Sequence, residues 1–163
     1  MAAPDTVVVR RARPEDIDRI TEFNLRLAAE SEDLALDPRR VRQGVSAIFR
    51  HADRGFYLMA DGPDGAVGQL QVTYEWSDWR DAFFWWLQSV YVAPAWRRRG
   101  VLRALTGRAI ELAREAGDVC GLRLYAHREN DSALEAYERL GLRPLDYRML
   151  GFDLEVPGGK GAG

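Results

Sequence analysis

Apolar residues recur along the chain at periods that predict alternating strands and helices. "TVVVRRA", residues 6–12, is a short β-branched run and predicts a strand. "RPEDIDRITEFNLRLAAESEDLA" opens on Pro14 with acids in its first turn. It then carries Ile17, Ile20, Phe23 and Leu27 at helical spacing, which predicts a helix. "DPRRVRQGVSAIFRHA" places a cap at Asp37, proline at the first helical position, and Val41, Val45, Ile48 and Phe49 on one face. "GFYLMADGPDGAVGQLQVTYEW" reads as two β runs around a Gly-Pro-Asp-Gly turn. "SDWRD" makes a second turn, and "AFFWWLQSVYV" is a long aromatic strand stopped by Ala93-Pro94. A helix from Gly100, a strand "CGLRLYAH", a helix "NDSALEAYERLG" and a last strand "YRMLGFDLEV" follow. Ser132 and Glu135 have capping-box spacing, and Gly141 stands at the C-terminal end of its helix. The order β-α-α-β-β-β-α-β-α-β predicts an α/β chain with a mixed sheet and helices on both faces.

One helix is charged against its own dipole. In "WRRRGVLRALTGRAIELA", Leu102, Leu105, Ala109 and Leu112 form the expected apolar face, while Arg97, Arg98, Arg99 and Arg103 crowd the start. Each cation there should cost about 0.3–1 kcal/mol, and no Ser, Thr, Asp or Asn stands at the cap to offset it. A bound phosphate inverts the conflict. Unpaired N–H groups and arginines would then converge on an anion that Gly100 allows to approach closely. A solvated turn is the alternative. Neither a Gly-Lys-Ser/Thr phosphate loop nor a G-x-G-x-x-G fingerprint is present.

Composition narrows the classes. The 163 residues suffice for one domain, expected over residues 5–156 with a flexible tail at 157–163. Net charge is −2, which disfavours a nucleic-acid-binding module and makes the arginine cluster a local feature. A single cysteine, Cys120, excludes an internal disulfide and a cysteine-based zinc site, and "HREND" around His127 lacks a second ligand cluster, so no metal is expected. His51 suits a helix C-terminus. There is no apolar run of the roughly 20 residues that a bilayer span needs, and the first residues lack signal-peptide order. A cytoplasmic protein is the expectation.

Two blocks then carry a resemblance. "VYVAPAWRRRGVLRAL" resembles the GNAT superfamily of acetyl-CoA-dependent N-acetyltransferases, whose Arg/Gln-x-x-Gly-x-Gly/Ala pattern opens the third helix. Arg97 and Gly100 match, and Leu102 occupies the last small position. "NDSALEAYERLGL" is similar to that family's Asn-x-x-Ala-x-x-x-Tyr-x-x-x-Gly-Phe block through Asn130, Ala133, Tyr137 and Gly141, with Leu142 for the phenylalanine. The resemblance covers nearly the whole chain.

It implies an N-acetyltransferase with acetyl-CoA as co-substrate. The pyrophosphate falls to Arg97, Arg98, Arg99, Gly100, Val101, Leu102 and Arg103, and the pantetheine arm to the backbone of Val90, Tyr91 and Val92. Asn130, Ala133 and Tyr137 complete the cofactor contacts. Direct attack of an amine needs a polarised carbonyl, a base and a proton for the leaving thiolate. The resemblance gives the first to the Val90 N–H and the last to Tyr137, a phenol near pKa 10 facing a thiolate near 8.5. The family's common glutamate two residues before the Val-Tyr-Val run is here Gln88, which is no base near neutral pH. Glu75 and Glu30 are the preferred carboxylates, expected together at the acceptor mouth; Asp78, Glu32 and Asp33 are further candidates. Trp76, Asp78 and Trp79 offer cation–π and ionic partners for an ammonium group, with aromatic packing of the turn as the alternative. Transfer of a longer acyl group, or a weakly catalytic module that only senses acyl-CoA, stays open. A homodimer is expected from the family's habits, and no membrane or nucleic-acid partner.

Overall fold

The computed structural model describes residues 6–154, which form five strands and four helices. The strands are β1 (Val8–Arg11), β2 (Phe56–Gly62), β3 (Gly65–Ser77), β4 (Ala82–Val92) and β5 (Val119–Arg123), in spatial order β1-β2-β3-β4-β5. The helices are α1 (Ile17–Glu32), α2 (Pro38–Arg50), α3 (Val101–Ala116) and α4 (Asp131–Arg139). Tight turns join β2 to β3 and β3 to β4, so those pairs run antiparallel. Helix α3 carries the chain back across the sheet, and β5 therefore lies parallel to β4.

Side-chain alternation sends the sheet's two faces to different helices. Leu58, Leu70, Val72, Trp85 and Leu87 pack with Val101, Leu105, Ala109 and Ala113 of α3. Tyr57, Met59 and Tyr91 face the other way, onto Ile20 and Phe23 of α1 and Val45 of α2. Each fully buried side chain of this kind contributes about 1.5–3 kcal/mol. Trp85 and Trp86 accordingly point to opposite faces, Trp85 into the α3 core and Trp86 onto the Glu75 carboxylate.

Local signals set the element ends. Asp37 caps α2, its Oδ1 accepting from the Arg39 N–H at 2.9 Å, with Pro38 at the first position. Pro14 opens a single 3₁₀ turn ahead of α1, and Asp16 there accepts from both Arg10 and the Arg13 N–H. Arg10 also grips Asp61, tying β1, the α1 entry and β2 together.

Three expectations need correction. The buried stripe of α3 is Val101, Leu105, Ala109 and Ala113, with Leu102 at its rim. Val101 takes the inner place because Gly68 leaves room beneath it; a Cβ there would stand 3.0 Å from Val101 Cγ1. Helix α4 is capped by Asn130, whose Oδ1 accepts from the Ala133 N–H at 3.2 Å, so Ser132 lies inside the helix and the Ser132/Glu135 capping box is not used. The last strand is absent from residues 147–154, which pair with no ladder. A strand exists only with a partner, and here Tyr147, Met149, Leu150, Phe152 and Leu154 all lie exposed. The remainder of that stretch, and the expected tail at 157–163, fall outside the described residues, as does Asp5.

Candidate active site

Strand β4 loses one neighbour halfway along. It pairs with β5 from Phe83↔Val119 to Trp86↔Arg123 and no further, although it continues to Val92 alongside β3. From Leu87 onward the edge of β4 that faced β5 has no strand beside it, so a wedge opens toward the C-terminal end of β4. Backbone amides along such an edge can be matched by an extended ligand that carries its own amides.

A β-bulge sits in the middle of this edge. Gln69 pairs with Tyr91 and Gln71 with Gln88, leaving Ser89 and Val90 opposite Leu70 alone. Ser89 takes up the extra residue in a left-handed conformation, φ 47°.

Just beyond Val92 lies the arginine turn. Pro94–Trp96 form one 3₁₀ turn, and Arg98 (φ 61°) and Gly100 (φ 82°) turn the chain into α3. A Cβ on Gly100 would meet nothing within 4 Å, so its requirement is conformational and not set by packing. No side chain caps the helix, and the N–H groups of Val101, Leu102 and Arg103 precede the first intrahelical bond, Ala104 N–H to Gly100 O. Arg97, Arg98, Arg99 and Arg103 are all exposed around this point. Arg97 is pinned: its Nε donates to Val92 O at 2.9 Å and its Nη2 to the Glu30 carboxylate. Arg99 lies 5.5 Å from the centre of the Trp96 ring.

Glu30 belongs to the last turn of α1. It accepts from Tyr91 Oη at 2.9 Å as well as from Arg97, and the Arg97 guanidinium holds its carboxyl below the usual carboxylate range. Burial, reinforced by Glu30, pushes the Tyr91 phenol up.

Glu75 is elsewhere. It stands across from Phe84, with Trp86 Nε1 donating to it at 2.5 Å and Arg123 Nη1 at 3.2 Å. Phe84 and Val90 are about 20 Å apart along the strand. Glu30 thus bonds Tyr91 and Arg97 while Glu75 bonds Trp86 and Arg123, the last pair of the β4–β5 ladder, and the two carboxylates have different partners. Trp76, Asp78 and Trp79 are farther still, at the β3–β4 hairpin tip, where Trp76 packs edge-on against Phe83 and Trp79 is 94% exposed. The hairpin register carries this group away from the wedge.

Gln88 stands where β4 and β5 part. Its Nε2 donates to Thr73 Oγ1 at 2.7 Å and its Oε1 accepts from Tyr125 Oη at 3.1 Å. Tyr137 is buried in α4, and burial pushes its phenol up to about 12, above the ordinary value assumed from sequence. Ala133 is half-buried and Asn130 serves as the α4 cap. His127 closes a turn with Asn130, and Cys120 Sγ donates to Phe83 O at 3.3 Å. Among the described residues no three His, Cys, Asp or Glu side chains group to hold a metal, and no helix is long and apolar enough to cross a membrane.

Sequence reading missed a polar group under α1, buried Tyr57 and Gln69 with half-buried Asn24, Gln71 and Ser89, linked by hydrogen bonds. The available signal was Gln69 and Gln71, polar residues at alternate positions beside Leu70 and Val72 in the middle of the strand.

The GNAT acetyltransferase family model matches residues 18–142. A crystal structure of a possible acetyltransferase from Clostridium difficile 630 is 36% identical, covering 92% of this chain and 99% of that one with a TM-score of 0.85. The aminoglycoside N-acetyltransferase AAC(6')-Iy in complex with CoA shares the fold at 13% identity and TM-score 0.78, over 94% of this chain and 98% of that one. A predicted acetyltransferase from Clostridium acetobutylicum, solved with acetyl-CoA, also shares it, at 13% identity and TM-score 0.72, over 90% of this chain and 96% of that one. Among curated proteins none matches. The family match over most of the chain, and the wedge, bulge and arginine-rich helix start it spans, settle the class: the chain belongs to the GNAT acetyltransferase family and is an acyltransferase.

Proposed function

We propose that the protein transfers the acetyl group of acetyl-CoA to a primary amine. The observation that carries this reading is the meeting, at one end of β4, of an unpaired strand edge and an uncapped helix start ringed by arginines. A pyrophosphate fits the latter, through the N–H groups of Val101, Leu102 and Arg103 and the cations Arg97, Arg98, Arg99 and Arg103. The amide-bearing pantetheine arm fits the former, along Val90, Tyr91 and Val92, which leads the thioester back toward the bulge. Asn130, Ala133 and Tyr137 would flank it from α4.

In the reaction the amine nitrogen bonds to the thioester carbon, and the C–S bond breaks from a tetrahedral intermediate. Val90 N–H polarises the carbonyl and Tyr137 donates toward the departing sulfur. Glu30 is a poor base, because Arg97 keeps it ionised well into acid. Glu75 is committed to Trp86 and Arg123. The ammonium proton is therefore assigned to water held beside Gln88 Oε1. Acceptors of the aminoglycoside kind, named for AAC(6')-Iy, belong to the amine class to be screened first.

Calorimetric titration with CoA tests the cofactor half. One CoA should bind per chain, and Arg97→Glu should weaken it by about 10²-fold, some 2.7 kcal/mol. Glu30→Gln should tighten it by about threefold, since a carboxylate competing for Arg97 is removed at a half-exposed, screened site. Because Glu30 titrates below the usual range, it should contribute no change in affinity from neutral pH down to about 5, so wild type and Glu30→Gln should keep a constant affinity ratio over that window. Unchanged affinity in Arg97→Glu contradicts the assignment of the pyrophosphate to this turn.

A further inference from the structure

The bulge that presents Val90 is held by a side chain outside the reaction itself. Gln69, fully buried on β3, donates from Nε2 to Ser89 O at 3.1 Å and to Asn24 Oδ1 at 2.7 Å. Its Oε1 has no partner, an omission that ordinarily costs about 1–3 kcal/mol. The opposite amide orientation is excluded by chemistry, because Ser89 O is a carbonyl and can only accept. Its neighbour Gln71 anchors the same residue, its Oε1 accepting from Ser89 Oγ at 3.3 Å. Two glutamines of β3 thus fix one left-handed residue of β4.

The consequence follows from peptide geometry. Ser89 C=O and Val90 N–H belong to one peptide plane, and the chain has no cis bonds among the described residues, so the two groups point in opposite directions. With the carbonyl drawn toward Gln69 and α1, the Val90 N–H is aimed the opposite way, away from both, on a stretch of β4 that β5 no longer accompanies. The geometry points to Gln69 as a positioning residue: it clamps the Ser89–Val90 peptide so that the Val90 N–H faces the thioester carbonyl in the wedge. This inference rests on the acetyl-CoA reading above. It adds a residue whose action is to orient a donor, with Asn24 bracing it from α1.

The test is the infrared carbonyl stretch of ¹³C-labelled acetyl-CoA bound to the wild type, to Gln69→Leu and to Gln69→Glu, alongside kcat and CoA affinity. In the wild type the stretch should fall below that of free acetyl-CoA. In Gln69→Leu the fall should be lost and kcat should drop by about 10²-fold, as for a missing oxyanion donor. Affinity for CoA itself, which has no thioester carbonyl, should be unchanged. Gln69→Glu keeps the shape and serves if the leucine variant does not fold. Its protonated carboxyl can donate to Ser89 O and its carboxylate cannot, so the lowered stretch should be present at acid pH and vanish as pH rises. A carbonyl shift and kcat that ignore both substitutions, in protein that binds CoA, overturn the clamp alone. A wild-type protein that binds no CoA overturns the underlying reading, and the clamp falls with it.

Discussion

Tyr137→Phe should lower kcat by about 10²-fold or more, the usual worth of a positioned general acid, while leaving CoA affinity unaltered. The phenol is buried in α4, and desolvation alone pushes its pKa up to about 12. It therefore remains protonated throughout any practical assay range, and no alkaline limb in the pH–rate profile should arise from it below about pH 11. In the proposed reaction the raised pKa keeps Tyr137 in its donor form toward the departing sulfur across that range. Phenylalanine keeps the ring and its packing but removes the donor. Steady-state kinetics with a CoA titration on the same variant separates the two effects; an unchanged kcat means that the sulfur is served by another group.

The largest effect on folding is expected at Gly55. Alanine there should destabilise the protein by about 3–5 kcal/mol, a large share of the 5–15 kcal/mol that holds a domain together. Gly55 has φ 122° and ψ −161°, a region closed to L side chains, and it enters β2 immediately before Phe56 pairs with Val72. A Cβ at this position would lie 2.0 Å from Val72 O and 3.0 Å from Val72 C. Those are backbone atoms of a central strand, so neither can yield without opening the β2–β3 ladder. A fall in Tm of about 10 °C is the corresponding thermal result. Gly44→Ala in α2 is the control, since its Cβ meets nothing within 4 Å and helix propensity should add about 0.5–1 kcal/mol of stability. Equal melting of the two variants would contradict the close approach at Gly55.

Much of this architecture was legible because local chemistry and tertiary packing agree. Strand β4 begins at Ala82 and ends at Val92, as the aromatic run and Ala93-Pro94 indicate, and Asp37-Pro38 starts α2 where a cap and a first-position proline should. The arginine turn was legible as an anomaly, since its charge is unfavourable without a ligand. The illegible parts depend on what lies across a strand. The bulge at Ser89 and Val90 is defined only against Gln69 and Gln71, and no local propensity marks Ser89 for a positive φ. Glu75, Trp76 and Trp79 looked close to the chemistry because they are acidic or aromatic. Hairpin pairing with the first residues of β4 carries Trp76 and Trp79 to the end opposite the wedge, and engages the Glu75 carboxylate with Trp86 and Arg123. Residues 147–154 are rich in apolar residues, yet apolar content cannot supply a ladder partner.

The central claim is that an amine takes the acetyl group from acetyl-CoA in the wedge between β4 and β5. Release of free thiol from acetyl-CoA, followed across a panel of primary amines, tests it most directly. The account predicts thiol release that requires both the protein and at least one amine, with an equal amount of N-acetylated product. Protein that binds CoA yet releases no thiol with any amine would contradict it.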